Sequence, residues 1–166
     1  MAGVALLAGG SVPNASAAPG HRDTDDTAVV SGLTYGPKDG LEVDTQQFVI
    51  TPGEGPVGVT YGPEGDITPM QTWGSSYAIS TETLQLWYDG KAKAAGNVYD
   101  GKRIIQACFW YSRGGSAVSS KKCSSAYEVG KGLWASGAEV TDRVMDDLNP
   151  VAPPTIFNVQ TTRITP

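Results

Sequence analysis

The sequence predicts an all-β fold: a single-domain, two-layer β-sandwich with one short helix near the C-terminus and a flexible N-terminal arm. Three observations point there. Of 166 residues, 21 are Gly and 11 are Pro, and the apolar runs between them are short, the composition of a fold rich in turns. Strand-like segments of alternating or β-branched residues recur between turn dipeptides such as Asp100-Gly101. Residues 103–123 join the densest β-branched and aromatic run, RIIQACFWYSR, to a strong turn signal, and they hold both cysteines.

At the N-terminus, residues 2–8 are a short apolar run, far below the ~20 residues that a membrane span needs. Ala15-Ser16-Ala17 is a small-x-small cleavage pattern, so residues 1–17 are expected to be a signal-peptide remnant and the protein to be secreted. No Lys or Arg precedes the apolar run, and a start placed too far downstream, or a trimmed N-terminus, is expected to account for the missing basic segment. Residues 18–35 are expected to be the arm: a polar, charged, aperiodic stretch, then an apolar strand from Ala28 that ends at Gly36-Pro37. Residues 36–166 form the sandwich domain.

Within it, strands are expected at residues 45–51, 57–61, 76–80, 83–88 and 96–99, with Asp89-Gly90 and Asp100-Gly101 as turns. In the fourth of these, Leu84, Leu86 and Tyr88 share a face, opposite Thr83, Gln85 and Trp87. In the long strand from Arg103, one face carries Ile105, Ala107, Phe109 and Tyr111, and the other Ile104, Gln106, Cys108 and Trp110. Both faces are mainly apolar, which predicts an inner strand covered on each side. The chain turns back at Arg113-Gly114-Gly115-Ser116, where glycine supplies positive φ. A two-residue turn on Gly115-Ser116 sets Cys108 opposite Cys123, and one on Gly114-Gly115 sets Cys108 opposite Lys121. The first register, or a bulged version of it, is preferred because it permits a Cys108–Cys123 disulfide in an exported protein. Further strands are expected at residues 126–129 and 133–135. Residues 140–148 are expected to be the short helix, with Val140, Val144, Met145 and Leu148 on one stripe, stopped by Asn149-Pro150. A last strand over residues 155–164 has few charges and is expected to pair inside a sheet.

Catalytic groups are scarce. The single histidine, His21, falls in the arm, which removes Ser-His-Asp and Cys-His arrangements and most zinc sites. The carboxylates Glu82, Asp89, Glu128, Glu139, Asp142, Asp146 and Asp147 read as a solvated face rather than an acid/base pair, and Asp23, Asp25 and Asp26 lack a calcium-loop pattern. No catalytic residue, metal or cofactor is assigned, and the protein is not expected to be an enzyme. A net charge of −5 argues against a nucleic-acid surface, and no other segment suggests a membrane.

Binding surfaces remain. Trp73 and Trp87 are the candidates for exposed aromatics able to stack on a sugar ring or fill an interface, whereas Trp110 reads as core. The arm offers Ala28, Val29, Val30, Ser31, Gly32 and Leu33 as a strand that adds to a sheet edge on a partner; the alternative is that it is the first strand of its own domain. Gln106-Ala107-Cys108-Phe109-Trp110-Tyr111 with Cys123, then Leu133-Trp134-Ala135-Ser136-Gly137, then Leu148-Asn149-Pro150-Val151-Ala152-Pro153-Pro154-Thr155 resemble small exported proteins of actinomycetes. They resemble in particular the adaptor subunit of the umbrella-shaped antibacterial toxin particles that such bacteria secrete. The likeness covers roughly residues 101–158 and implies a non-enzymatic adaptor. Its partners would be other secreted subunits, a lectin-like one and a large toxin-bearing one, with the N-terminal extension docking into the latter. The other functional readings are a carbohydrate- or cell-wall-binding module, and a stand-alone secreted inhibitor or bacteriocin.

Overall fold

The computed structural model of the chain describes residues 27–62 and 74–166. The expected signal segment, the polar part of the arm with His21, and Trp73 lie outside the described residues. Within them the regular structure is β, apart from one 3-10 turn at Pro37–Asp39. The chain enters as a hairpin, β1 (Ala28–Val30) and β2 (Leu33–Tyr35). It continues through β3 (Glu42–Val49), β4 (Val57–Tyr61), β5 (Ser76–Thr83), β6 (Trp87–Lys93) and β7 (Val98–Tyr99). Then come the long β8 (Lys102–Arg113), β9 (Ser116–Ala117), β10 (Lys122–Ser125), β11 (Tyr127–Gly130), β12 (Leu133–Ala135), β13 (Val140–Met145) and β14 (Ile156–Ile164).

The larger sheet has the order β10-β8-β14-β3, with β7 and β9 also pairing β8; the second has the order β13-β6-β5-β4. All pairs are antiparallel. The sparsely charged β14 lies between β8 and β3, as its composition suggests. Both sheets bury side chains in one cluster: Ala107, Phe109, Tyr111, Phe157 and Val159 from the first, Ala78, Tyr88, Ala92 and Val144 from the second. At its centre the Phe157 ring lies 5.4 Å from Phe109 and 5.3 Å from Tyr111, the separations that aromatic pairs prefer. Two hydroxyl contacts join the sheets, Ser80 Oγ to Tyr111 Oη at 2.8 Å and Tyr61 Oη to Thr161 Oγ1 at 3.3 Å.

The Arg103–Cys123 segment folds as a bulged hairpin. The tight turn falls on Gly114-Gly115, both at positive φ, and pairs Arg113 with Ser116. Past Val118, whose amide bonds to Tyr111 O, the register slips by two residues, so that Lys122 pairs with Phe109 and Cys123 with Cys108. The cysteines form a disulfide with a Cα–Cα distance of 4.0 Å.

Three expectations are corrected. Residues 140–148 are not a helix. Residues 140–145 are strand β13, paired along its length with β6 from Val140↔Ala92 to Met145↔Trp87. Val140 and Val144 are four apart, a spacing that fits one helical face and also one strand face. The β-branched content of Val-Thr-Asp-Arg-Val favours the strand, and Leu148, the last member of the helical stripe, is exposed. Asp89-Gly90 is not a turn but the middle of β6. Gly90 serves packing there, since a Cβ would overlap the Phe109 ring and lie 2.8 Å from Tyr111 Oη. The turn falls earlier, on Leu84-Gln85, both in the left-handed region at φ 55° and 54°. Finally, Trp110 is half-buried on the outer face of β8, with Lys121 Nζ 5.1 Å from its ring centroid.

Candidate interaction surfaces

Residues 28–35, where one strand was expected, make two, because Ser31 at φ 51° and Gly32 at φ 79° turn the chain back. The hairpin is anchored on the body of the protein. Val30, 1% exposed, packs with Ile105 and Ile164, and Ser31 Oγ donates to Ala126 O at 3.1 Å. Ala28 and Tyr35, half-buried, pack against the same cluster, whereas Val29, 68% exposed, and Leu33 face outward. The β11–β12 hairpin adjoins it. Ala126, which precedes β11, bonds through its amide to Ile105 O, and Glu128 helps, after burial, to raise the Tyr35 phenol above its ordinary pKa. This second hairpin exposes Tyr127, Val129 and Leu133. Together they form an apolar end at the Ile105 end of β8.

A second apolar cluster lies where β8 finishes. Arg113 donates from Nη2 to Met145 O and from Nε to Thr155 Oγ1 at 2.7 Å, and so binds the chain after β13 to the tip of β8. The Asp146 amide in turn bonds to Leu86 O at 2.8 Å, which holds the β5–β6 turn beside it. Here Leu84 is 81% exposed and Val151 86%, with Leu86, Met145 and Leu148 also outward. Eight residues of extended β8 separate Ile105 from Arg113, about 26 Å at the usual rise. The two apolar clusters therefore sit at opposite ends of one rigid strand.

The third surface is polar. On the outer face of the second sheet, Thr81, Asp89, Gly90, Lys91, Thr141, Asp142 and Arg143 line a trough of about 400 Å³. Strand alternation builds it, because Asp89 and Lys91 of β6 point the same way as Arg143 and Thr141 opposite them on β13. Arg143 reaches Asp89 in a two-pronged pair, Nε to Oδ1 at 2.5 Å and Nη2 to Oδ2 at 3.0 Å, and Thr83 Oγ1 donates to Oδ2 at 2.5 Å. The Arg143 guanidinium, with help from Thr83, holds the Asp89 carboxyl below its ordinary pKa. The same guanidinium lies over the Trp87 ring, 5.7 Å from its centroid. Trp87, half-buried, thus flanks the trough on its outer face.

Among the described residues, the candidate carboxylates engage separate partners. Glu82 accepts from the Gly53 amide at 2.7 Å, Glu128 from Gly132 at 2.8 Å and Asp147 from Asn149 at 3.0 Å, so each orders a turn. Glu139 accepts from Tyr77 Oη. Among the described residues, no group of three or more His, Cys, Asp or Glu could hold a metal ion, and no helix is long and apolar enough to cross a membrane. Reading residues 140–148 as a helix hid the trough, since Arg143 meets Asp89 only when that segment is a strand. Comparison of the chain with protein-family models, with curated proteins and with solved structures yields no match.

Proposed function

We propose that the protein is a secreted, non-enzymatic adaptor, a disulfide-stapled two-layer β-sandwich that joins two partner proteins through the apolar surfaces at its ends. One observation carries this reading. Leu84 is 81% exposed in a turn that places both Leu84 and Gln85 in the left-handed region. A leucine there costs turn strain of about 1–2 kcal/mol and leaves apolar surface in water, where Asn-Gly would do neither. Residues that break a local rule without a compensating fold contact mark function. Leu86, Leu148 and Val151 continue the same surface, and Val29, Leu33, Val129 and Leu133 make its counterpart at the other end.

The disulfide supports an oxidising compartment, hence secretion. The resemblance of residues 101–158 to umbrella-particle adaptors supports an antibacterial toxin assembly, with a lectin-like subunit and a large toxin-bearing subunit as the partners. The hairpin of residues 28–35 then docks the toxin-bearing subunit through Val29, Leu33 and their neighbours, while Val30 keeps it seated on the scaffold.

Charge placed at one end at a time tests this. Leu84→Glu with Val151→Glu should release one partner and retain the other, and Val29→Glu with Leu33→Glu should do the reverse, with circular dichroism of both variants unchanged. Retention of every partner by both folded variants would sink the two-ended reading.

A further inference from the structure

We propose that the protein pairs with a second copy of itself through the free edge of β3, making one antiparallel sheet that runs across both molecules. β3 closes the larger sheet and, among the described strands, bonds to β14 alone. The register decides which main-chain groups are left over. The Ile50 amide donates to Thr155 O at 2.9 Å, one residue beyond the Val49↔Ile156 pair, so Ile50 is a hydrogen-bonded position. Alternation then turns the amides and carbonyls of Glu42, Asp44, Gln46 and Phe48 toward β14, and those of Val43, Thr45, Gln47 and Val49 away from it. The outward set is a regular row of donors and acceptors, one of each per residue. This edge carries few of the usual guards against pairing. β3 is 8 residues long, pairs with β14 without a bulge, and contains no Lys, Pro or Gly. The other sheet ends are guarded: β10 is 4 residues long and holds Lys122, β13 carries Asp142 and Arg143 at its centre, and β4 follows Pro56 and holds Gly58 at φ 136°.

The strand is self-complementary about Gln46, which selects a second copy as the occupant. With a two-fold axis at Gln46, antiparallel pairing sets Val43 against Val49 of the copy and Thr45 against its Gln47, and every outward amide and carbonyl finds a partner. The side chains agree with that register. Val49, 46% exposed in the single chain, gains the β-branched Val43 as its neighbour, and the Thr45 hydroxyl meets the Gln47 amide. On the other face Gln46 meets its own copy. Asp44, which accepts from Gln46 Nε2 at 2.9 Å, lies beside Phe48 of the copy, so no acid stands opposite another acid. One strand from each molecule is a small contact beside a permanent interface, so the dimer is expected to form and dissociate with concentration. It uses none of the residues of the two apolar ends and stands or falls apart from the adaptor reading.

Sedimentation velocity of the purified protein across the micromolar range is the test, and the wild type should pass from monomer to dimer. Thr45→Lys with Gln47→Lys sets like charges opposite one another across the axis and should raise the dimer dissociation constant at least about tenfold. Thr45→Glu with Gln47→Glu should do the same, and an equimolar mixture of the two variants should dimerise again. Both side chains lie on the outer face of the sheet, so circular dichroism should be unchanged. Thr45→Pro gives a second readout: it removes an outward donor, breaks no bond to β14, and should also leave the protein monomeric. A wild type that stays monomeric throughout, dimerisation undiminished in the folded variants, or a Lys and Glu mixture that stays monomeric would each overturn the pairing.

Discussion

At the scale of single residues, Asp89, the Cys108–Cys123 pair and Gly90 carry separable jobs. Asp89 is held low by Arg143, so its folded pKa lies below the ordinary 3.8 and its contribution to stability is present above that value. The contribution is lost as pH falls through the folded pKa. Asp89→Asn should therefore be less stable than the wild type near neutrality, with the gap closing as the pH drops below about 3.8; chemical denaturation across that range measures it. A gap that widens in acid would contradict the pairing. Cys108 and Cys123 close a loop with a sequence separation of 15, and Cys108→Ser with Cys123→Ser should cost about 3 kcal/mol in the loop-entropy account. Gly90 is the third. Gly90→Ala forces a methyl into the Phe109 ring, and a loss of about 1–3 kcal/mol is expected from overpacking, read from the thermal midpoint.

At the scale of elements, the turn at Leu84-Gln85 offers a prediction with two readouts. Replacing both by Asn-Gly should raise stability by about 1 kcal/mol, because those residues suit a two-residue hairpin turn, while weakening whatever docks on Leu84. Higher stability with undiminished partner binding would show that Leu84 is ornamental. The same turn explains what was hard to read in the sequence. Strands with clear alternation or dense β-branching, such as β4, β8 and β14, were legible, as was the Cys108–Cys123 register. The glycine signals misled twice. Gly90 looks like a turn residue but answers to a phenylalanine on the facing sheet, and the real turn contains no glycine. Residues 140–145 misled because a four-residue valine spacing does not separate helix from strand, and pairing with β6 decides the matter. Residues 83–88, expected as one strand, break at Leu84-Gln85, so the alternation that set Trp87 opposite Leu84 and Leu86 does not hold, and Trp87 begins β6 instead. The link between Trp87, Asp89 and Arg143 depends on β13 lying beside β6, which no local pattern announces.

At the scale of the whole molecule, one long strand spans the distance between the two apolar surfaces. The long β8 belongs to the common core, carries the disulfide, and reaches an apolar surface at each end. Core burial of Val30 fixes one end to the scaffold, and Arg113 fixes the other through Met145 O and Thr155. In the proposed role the molecule sets the geometry between its two partners. The most direct measurement is the mass of the particle recovered with the tagged protein from the producing culture's medium, by light scattering after size exclusion. The account predicts a stable complex containing two different partner chains. Recovery of this chain alone, as a monomer, would contradict it.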